Sequence, residues 1–341
     1  MLPLVLSLAL FFGAWILTGR VRRYALATRL LDLPNERSSH TIATPRGGGI
    51  AIVVMTILAL PILGWLGALD WSTVAGLVGG GLLVAAISFA DDRNHIAPQW
   101  RLVGQFAAAI WIMVQLGGAP HIPILGQVMN GGWIGNFAVT LYLVWLSNLF
   151  NFMDGIDGIA GIETLTVCLG AAVISYVVLR GTDQWLPPVV VAAATLGFLV
   201  WNWPPAKIFM GDSGAAFLGL MLGALSLDAA KRDPRLFWCW VILLGVFIVD
   251  ATITLCRRVS RRERFYEAHR SHAYQHAALR WRAHRPVTLF VGAVNLLWLL
   301  PWAMLVGLGR LDALWGVSAA YVPLVLIALW LGAGSPGSKK S

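Results

Sequence analysis

Apolar residues run along this chain in long stretches, separated by short polar breaks. A spanning helix needs roughly 20 apolar residues to cross ~30 Å of hydrocarbon. Runs near that length predict about eleven spanning helices, at 2–18, 47–67, 72–90, 101–118, 134–150, 157–179, 186–203, 213–230, 236–256, 287–308 and 312–332. The expected fold class is all-α, a polytopic membrane helix bundle. The stretch 119–133 (APHIPILGQVMNGGW) is too broken to span and is expected outside. No internal repeat and no soluble domain interrupts the pattern. The chain therefore reads as a single transmembrane domain over 1–332, followed by a flexible cytoplasmic tail of small and polar residues over 333–341.

The first apolar run starts at Met1, and its positive charges, Arg20, Arg22 and Arg23, follow it. A secretory signal peptide has the reverse order, so the first helix is expected to stay in the protein. Composition agrees with a bundle in lipid. The chain is 58% hydrophobic and 12% charged, with mean hydropathy +0.74. A soluble domain carries about 25% charged residues. Cys168, Cys239 and Cys256 sit alone in apolar stretches, with neither metal spacing nor a pairing pattern, and read as packing residues.

The net charge of +9 raises the question of nucleic acid, but in a polytopic protein excess Lys and Arg mark cytoplasmic loops near anionic lipid. No nucleic-acid partner is expected. An odd number of spans puts the termini on opposite sides. With the N-terminus outside, all but five of the 25 lysines and arginines fall in inner connections; Arg180, Lys231, Arg232, Arg235 and Arg310 remain outside. The positive-inside rule therefore sets N-out and C-in. Trp65, Trp71, Trp133, Trp185, Trp201, Trp203, Trp302 and Trp315 cluster near predicted ends, as interfacial belts do.

That topology brings five aspartates to one face: Asp91 and Asp92, Asp154 and Asp157, and Asp212. Any one of them reads equally as solvated loop charge. The set does not, because charge near lipid is costly and tends to be functional. Asp91 and Asp92 end the third segment; adjacent helical positions point ~100° apart, so one can face a ligand while the other pairs with Arg93 or Arg101. In SNLFNFMDGIDGIAGIE (147–163), Asn148, Asn151, Asp154 and Asp157 recur every third residue, interrupted by Gly155, Gly158 and Gly161. Glycine there admits close backbone approach of a ligand; the alternative for Asp157 is a helix N-cap. In KIFMGDSGAAFLG (207–219), Asp212 is either an N-cap or a ligand for a hard cation, and Lys207 can meet phosphate.

The basic connection from Arg257 to Arg285 holds FYEAHRSHAYQHAALR. His269, His272 and His276 are spaced to share one helical face, beside Arg270. A basic helix lying on anionic lipid explains the arginines but not the histidines. A three-histidine zinc site and a histidine–arginine lining for a diphosphate are the two chemical alternatives; the second suits the neighbouring carboxylates better. Lastly, ERSSHTIATPRGGGI (36–50) either presents amides and Arg46 to phosphate or is a flexible entry to the second span.

Taken together, PRGGG, Asp91-Asp92, NxxNxxDGxDG at 148–158, FMGDSG at 209–214 and the histidine loop at 269–276 resemble the polyprenyl-phosphate N-acetylhexosamine-1-phosphate transferases, and they come in that family's order. The family includes the phospho-MurNAc-pentapeptide translocases and enzymes that start O-antigen and teichoic acid linkage units. The resemblance implies transfer of a sugar 1-phosphate from a UDP-sugar to undecaprenyl phosphate, releasing UMP, on the cytoplasmic face of a bacterial inner membrane. It implies Mg²⁺, with Mn²⁺ as a substitute, and Asp212 as metal ligand. It implies catalytic positions at Asp91, Asp92, Asp154 and Asp157, the last two tied to nucleotide or substrate handling, and substrate contacts from Arg46, Asn148, Asn151, Lys207, His269, Arg270, His272 and His276. Asp250 matches a further acidic position, and a homodimer is compatible with the resemblance. Many members carry a tighter HxHH cluster; the spacing here is similar to that of the O-antigen-initiating subgroup, with GlcNAc or a 6-deoxy derivative such as FucNAc or QuiNAc as donor sugar. The competing class is a transporter, which would place its charges near the midplane on broken helices, with internal repeats.

Overall fold

The computed structural model describes residues 1–33, 42–94, 96–124, 127–129, 132–263 and 270–335. Helices dominate: α1 (Leu2–Ala27), α2 (Ile50–Trp65), α3 (Trp71–Asn94), α4 (Pro98–Gln115), α5 (Gly132–Met153), α6 (Ile159–Val178), α7 (Leu186–Asn202), α8 (Asp212–Arg232), α9 (Arg235–Leu243), α10 (Gly245–Ser260), α11 (Ala273–Trp281), α12 (His284–Val294), α13 (Leu300–Gly307) and α14 (Ala313–Trp330). Two short antiparallel pairs complete the described fold, β1 (Leu31–Asp32) with β2 (Thr44–Pro45), and β3 (Ile122–Ile124) with β4 (Gln127–Met129).

Each of the predicted spans coincides with a helix or a broken helix. Among the described residues seven helices are long and apolar enough to cross a membrane, or eight if α9 and α10, bent by 71°, are one span. The α2 and α7 helices are apolar but short, at 16 and 17 residues, and α4 carries Arg101 and Gln105 within its 18. The first helix runs nine residues past its predicted end, because Arg20, Arg22 and Arg23 continue it beyond the apolar run. Between α12 and α13 the chain takes a π-helical turn, Asn295–Leu299, where Asn295 donates to the buried Glu163 of α6 at 2.7 Å.

One helix organises the bundle. The apolar window of α8 is wholly buried, against α3 and α5. Its small residues permit this. A Cβ on Gly219 would run into the backbone of Leu146 and Ser147, and Ser147 donates across to the Ala216 carbonyl at 3.1 Å. The N-terminus of α8 is thereby held where α3, α4 and α5 also present an end.

The chain stays packed past its last span. The expected flexible tail starts at 333, yet Ala333 is fully buried and its N–H closes onto the Ala328 carbonyl at 2.8 Å. Residues 336–341 lie outside the described residues.

Candidate active site

Two of the sequence strings prove to be one structure. The Phe209 N–H donates to Pro45 O (2.8 Å), Gly48 to Phe209 O (2.9 Å) and Gly49 to Met210 O (2.9 Å). PRGGG and FMGDSG thus pair through their backbones. The approach requires glycine on both sides: a Cβ on Gly49 would overlap Gly214, and one on Gly211, at φ +80°, would crowd Gly47 and the Asp92 carboxylate. The triple glycine serves this contact between segments.

The pairing fixes the start of α8, and with it two carboxylates. The N-cap of α8 is Gly211, with no side-chain cap. The Asp92 carboxylate accepts from Ser213 N–H at 3.4 Å instead. Asp212 is therefore no cap. Its side chain is 46% exposed, against 6% for Asp92, so its oxygens stay available. Arg101 binds Asp91 at 2.7 Å and lies 3.9 Å from Asp212; Arg46 lies 4.0 Å from Asp92 and donates to its backbone carbonyl. Asp91 also accepts from Ile96 N–H at 2.7 Å. Two guanidiniums thus hold three carboxylates, drawn from two segments far apart in sequence, at one end of the bundle.

The asparagine–aspartate string divides. Asn148 donates to Gln105 of α4 at 2.7 Å, while the amide oxygen of Asn151 is buried without a hydrogen-bond partner. Asp154 follows α5, and burial pushes its carboxyl well above the usual range, with the charges of Asp212 and Asp157 pushing the same way. That repulsion is what a cation or a proton relieves. Asp157 is turned to other partners: it accepts from Ala206 N–H at 3.0 Å and lies 3.3 Å from His284. It does not cap α6, whose N-cap is Gly158 at φ +75°. The expected close approach at Gly155 is made by the protein itself: a Cβ there would overlap the Tyr274 hydroxyl, which donates to Phe152 O at 2.9 Å.

The histidine loop departs most from the pattern. The one-face helix over 269–276 does not form. Helix α11 begins only at Ala273, with His272 as its N-cap in extended conformation. Asp250 of α10 decides this. Its carboxylate accepts from Ala273 N–H (2.9 Å) and Tyr274 N–H (3.0 Å), lies 3.2 Å from His272 Nδ1, and accepts from Thr254 at 3.1 Å. A buried acid from another helix thus anchors both the helix start and the imidazole. His276 lies one turn on, partly buried, which holds its imidazole below the usual range. His269 lies outside the described residues.

Arg270 lines a cavity of about 660 Å³ together with Asp157, Phe209, Arg282, His284 and Arg285. Lys207 is exposed, with its ammonium 5.7 Å over the Trp201 ring, and its carbonyl accepts from Arg22 at 3.1 Å. Among the described residues no three His, Cys, Asp or Glu side chains form a closed metal-ligand group; the three-histidine zinc alternative includes His269, which lies outside them. Mg²⁺ needs less, typically one or two carboxylates plus phosphate oxygens, and the half-exposed Asp212, whose charge reaches Asp154, fits that demand. Sequence reasoning missed Gln105, signalled by its i+4 spacing from Arg101, and His284, a lone histidine with no local signal.

Comparison with known proteins decides the family. Residues 74–230, which run from α3 through most of α8, match glycosyl transferase family 4. The chain is 31% identical over 286 residues to a probable undecaprenyl-phosphate N-acetylglucosaminyl 1-phosphate transferase of Bacillus subtilis, covering 81% of this chain and 77% of that protein. This chain belongs to the polyprenyl-phosphate N-acetylhexosamine-1-phosphate transferases. Other members it resembles are the decaprenyl-phosphate N-acetylglucosaminephosphotransferase of Mycolicibacterium smegmatis (36% over 273 residues; 72% of this chain, 66% of the relative) and a phospho-N-acetylmuramoyl-pentapeptide-transferase of Streptococcus agalactiae (30% over 209 residues; 57% and 62%). The stretch matched to the family carries all five aspartates; PRGGG and the histidine loop flank it. Membership in this transferase family displaces the transporter alternative.

Proposed function

We propose that this transferase moves N-acetylglucosamine 1-phosphate from its UDP-sugar to undecaprenyl phosphate, releasing UMP. The observation that carries the reading is the convergence of Asp91, Asp92, Asp154 and Asp212 with Arg46 and Arg101 at one end of the bundle, beside the Arg270–Arg282–Arg285 cavity. A phosphate oxygen of the lipid attacks the β-phosphorus of the donor. The bond from that phosphorus to the bridging oxygen breaks, and UMP leaves with the oxygen. Charge in such a transfer spreads over phosphoryl oxygens, so catalysis is mostly positioning and electrostatics. The cavity arginines meet the donor's anionic groups, and Asp157 and Phe209 line the same space. Asp212, with Asp154 beside it, would hold Mg²⁺ (or Mn²⁺), which neutralises the donor diphosphate. An acceptor phosphate with a second pKa near ~6 is largely ionised at neutral pH, so Asp91 and Asp92 orient groups here and need not remove a proton.

The N-acetylglucosaminyl relatives support GlcNAc over a 6-deoxy sugar. The spacing His272 to His276 supports a place in O-antigen or related envelope-glycan initiation, and the arginine distribution supports a site on the cytoplasmic face of the inner membrane. Purified protein with labelled UDP-GlcNAc, undecaprenyl phosphate and Mg²⁺ should yield lipid-linked sugar and UMP; no lipid-linked product from any UDP-HexNAc in a donor panel would overturn the reading.

A further inference from the structure

The chain just after α14 touches the histidine loop at several points. Gly334 N–H donates to Ser271 O at 2.6 Å, and Arg257 of α10 donates to Ala333 O at 2.8 Å. The Ser335 backbone also lies close to the His276 ring, on the side that favours its protonated form, and His276 Nε2 is buried without a hydrogen-bond partner. The segment is locked in place: Ala333 is fully buried, and Gly334, at φ +72°, would bring a Cβ to 2.8 Å from Arg257 Cβ and 3.1 Å from Thr254 O. Any side chain at 334 is both strained and obstructed.

We propose that residues 333–335 form a strap that positions the histidine loop, by holding the Ser271 carbonyl and keeping the backbone beside the His276 ring. Asp250 fixes His272 and the start of α11, and the strap holds the residue before His272 through its carbonyl. An imidazole held in one orientation presents Nε2 in one direction; a ring free to turn presents it only part of the time. The strap residues are positioning residues, since none is placed against substrate. Their relevance to turnover rests on the transferase reading above.

The test uses the full chain with ¹⁵N-labelled histidine. Gly334→Val displaces the strap, and Arg257→Met, should the first variant fail to fold, removes its anchor on α10. In the wild type, His276 should give one sharp set of ring signals. Either variant should shift and broaden them, with kcat lowered about tenfold or more and donor KM changed little, as small misplacement of a positioned group does. Folded variants with wild-type His276 signals and wild-type kcat would overturn the strap. An altered ring signal in a protein that forms no lipid-linked sugar would leave the strap standing and count against the transferase reading instead.

Discussion

The aspartate cluster at the ends of α3, α5 and α8 and the histidine loop between α10 and α11 both gather charged groups, treated oppositely. Around Asp250 every carboxylate oxygen has a donor: two backbone N–H groups, an imidazole and a hydroxyl. That acid is spent on structure. Around Asp212 the carboxylates outnumber the guanidiniums, one side chain is nearly half exposed, and Asp154 is pushed up by its neighbours. Incomplete compensation is what an enzyme keeps for a cation and a phosphate; full compensation is what it uses to hold a loop still.

The comparison predicts unequal responses. Asp212→Asn should cost most, on the order of 10²–10³ in kcat as for loss of one electrostatic contact to a transition state, with Mg²⁺ dependence lost. A Mg²⁺ titration of activity checks this, and an unchanged titration would remove Asp212 as the ligand. Asp91→Asn should come next, at about 10²-fold in turnover, with the fold intact because an amide still accepts from Ile96 N–H; near-normal turnover by folded protein would end the role for Asp91. Asp250→Ala should lower activity by about tenfold, and its larger effect should be on stability. Buried N–H groups left without an acceptor cost about 1–3 kcal/mol each, read as a lower melting temperature in detergent.

A smaller effect follows from Asp154. Its raised pKa means it takes up a proton more readily than an ordinary carboxylate as pH falls. Cation binding needs the deprotonated form, so Mg²⁺ affinity should strengthen as pH rises through a range above that of an ordinary carboxylate, and the dependence should flatten in Asp154→Asn. Mg²⁺ titrations at several pH values with both proteins measure it; equal slopes would contradict the shift. Least of all should Lys207→Ala matter, within about threefold in kcat/KM, since the ammonium rests on Trp201. A loss like that of Asp91→Asn would return Lys207 to the site.

Much of this was readable in one dimension. Apolar runs located each span, because a helix in lipid must satisfy its own backbone and stay apolar for a bilayer's width. The five aspartates were visible as a set through their shared place at segment ends, and the order of motifs pointed to the family. The end of α1, the bend between α9 and α10, and the packed residues 333–335 were not visible, since polar residues at an interface look the same whether helical, looped or docked.

What the sequence determined by itself was the inventory, the spans and the end of the bundle where chemistry gathers, because hydrophobic length and charge are local properties. The tertiary structure decided which partners each carboxylate meets. A helix cap was one of two readings for both Asp157 and Asp212, yet glycine occupies the N-cap at each site and Asp92, from another helix, accepts the N–H of Ser213. Spacing placed three histidines on one face, and Asp250 unmade that face by claiming the first N–H groups of α11. In both cases the deciding partner lies far away in sequence, and a hydrogen bond between distant segments leaves no periodicity in either one.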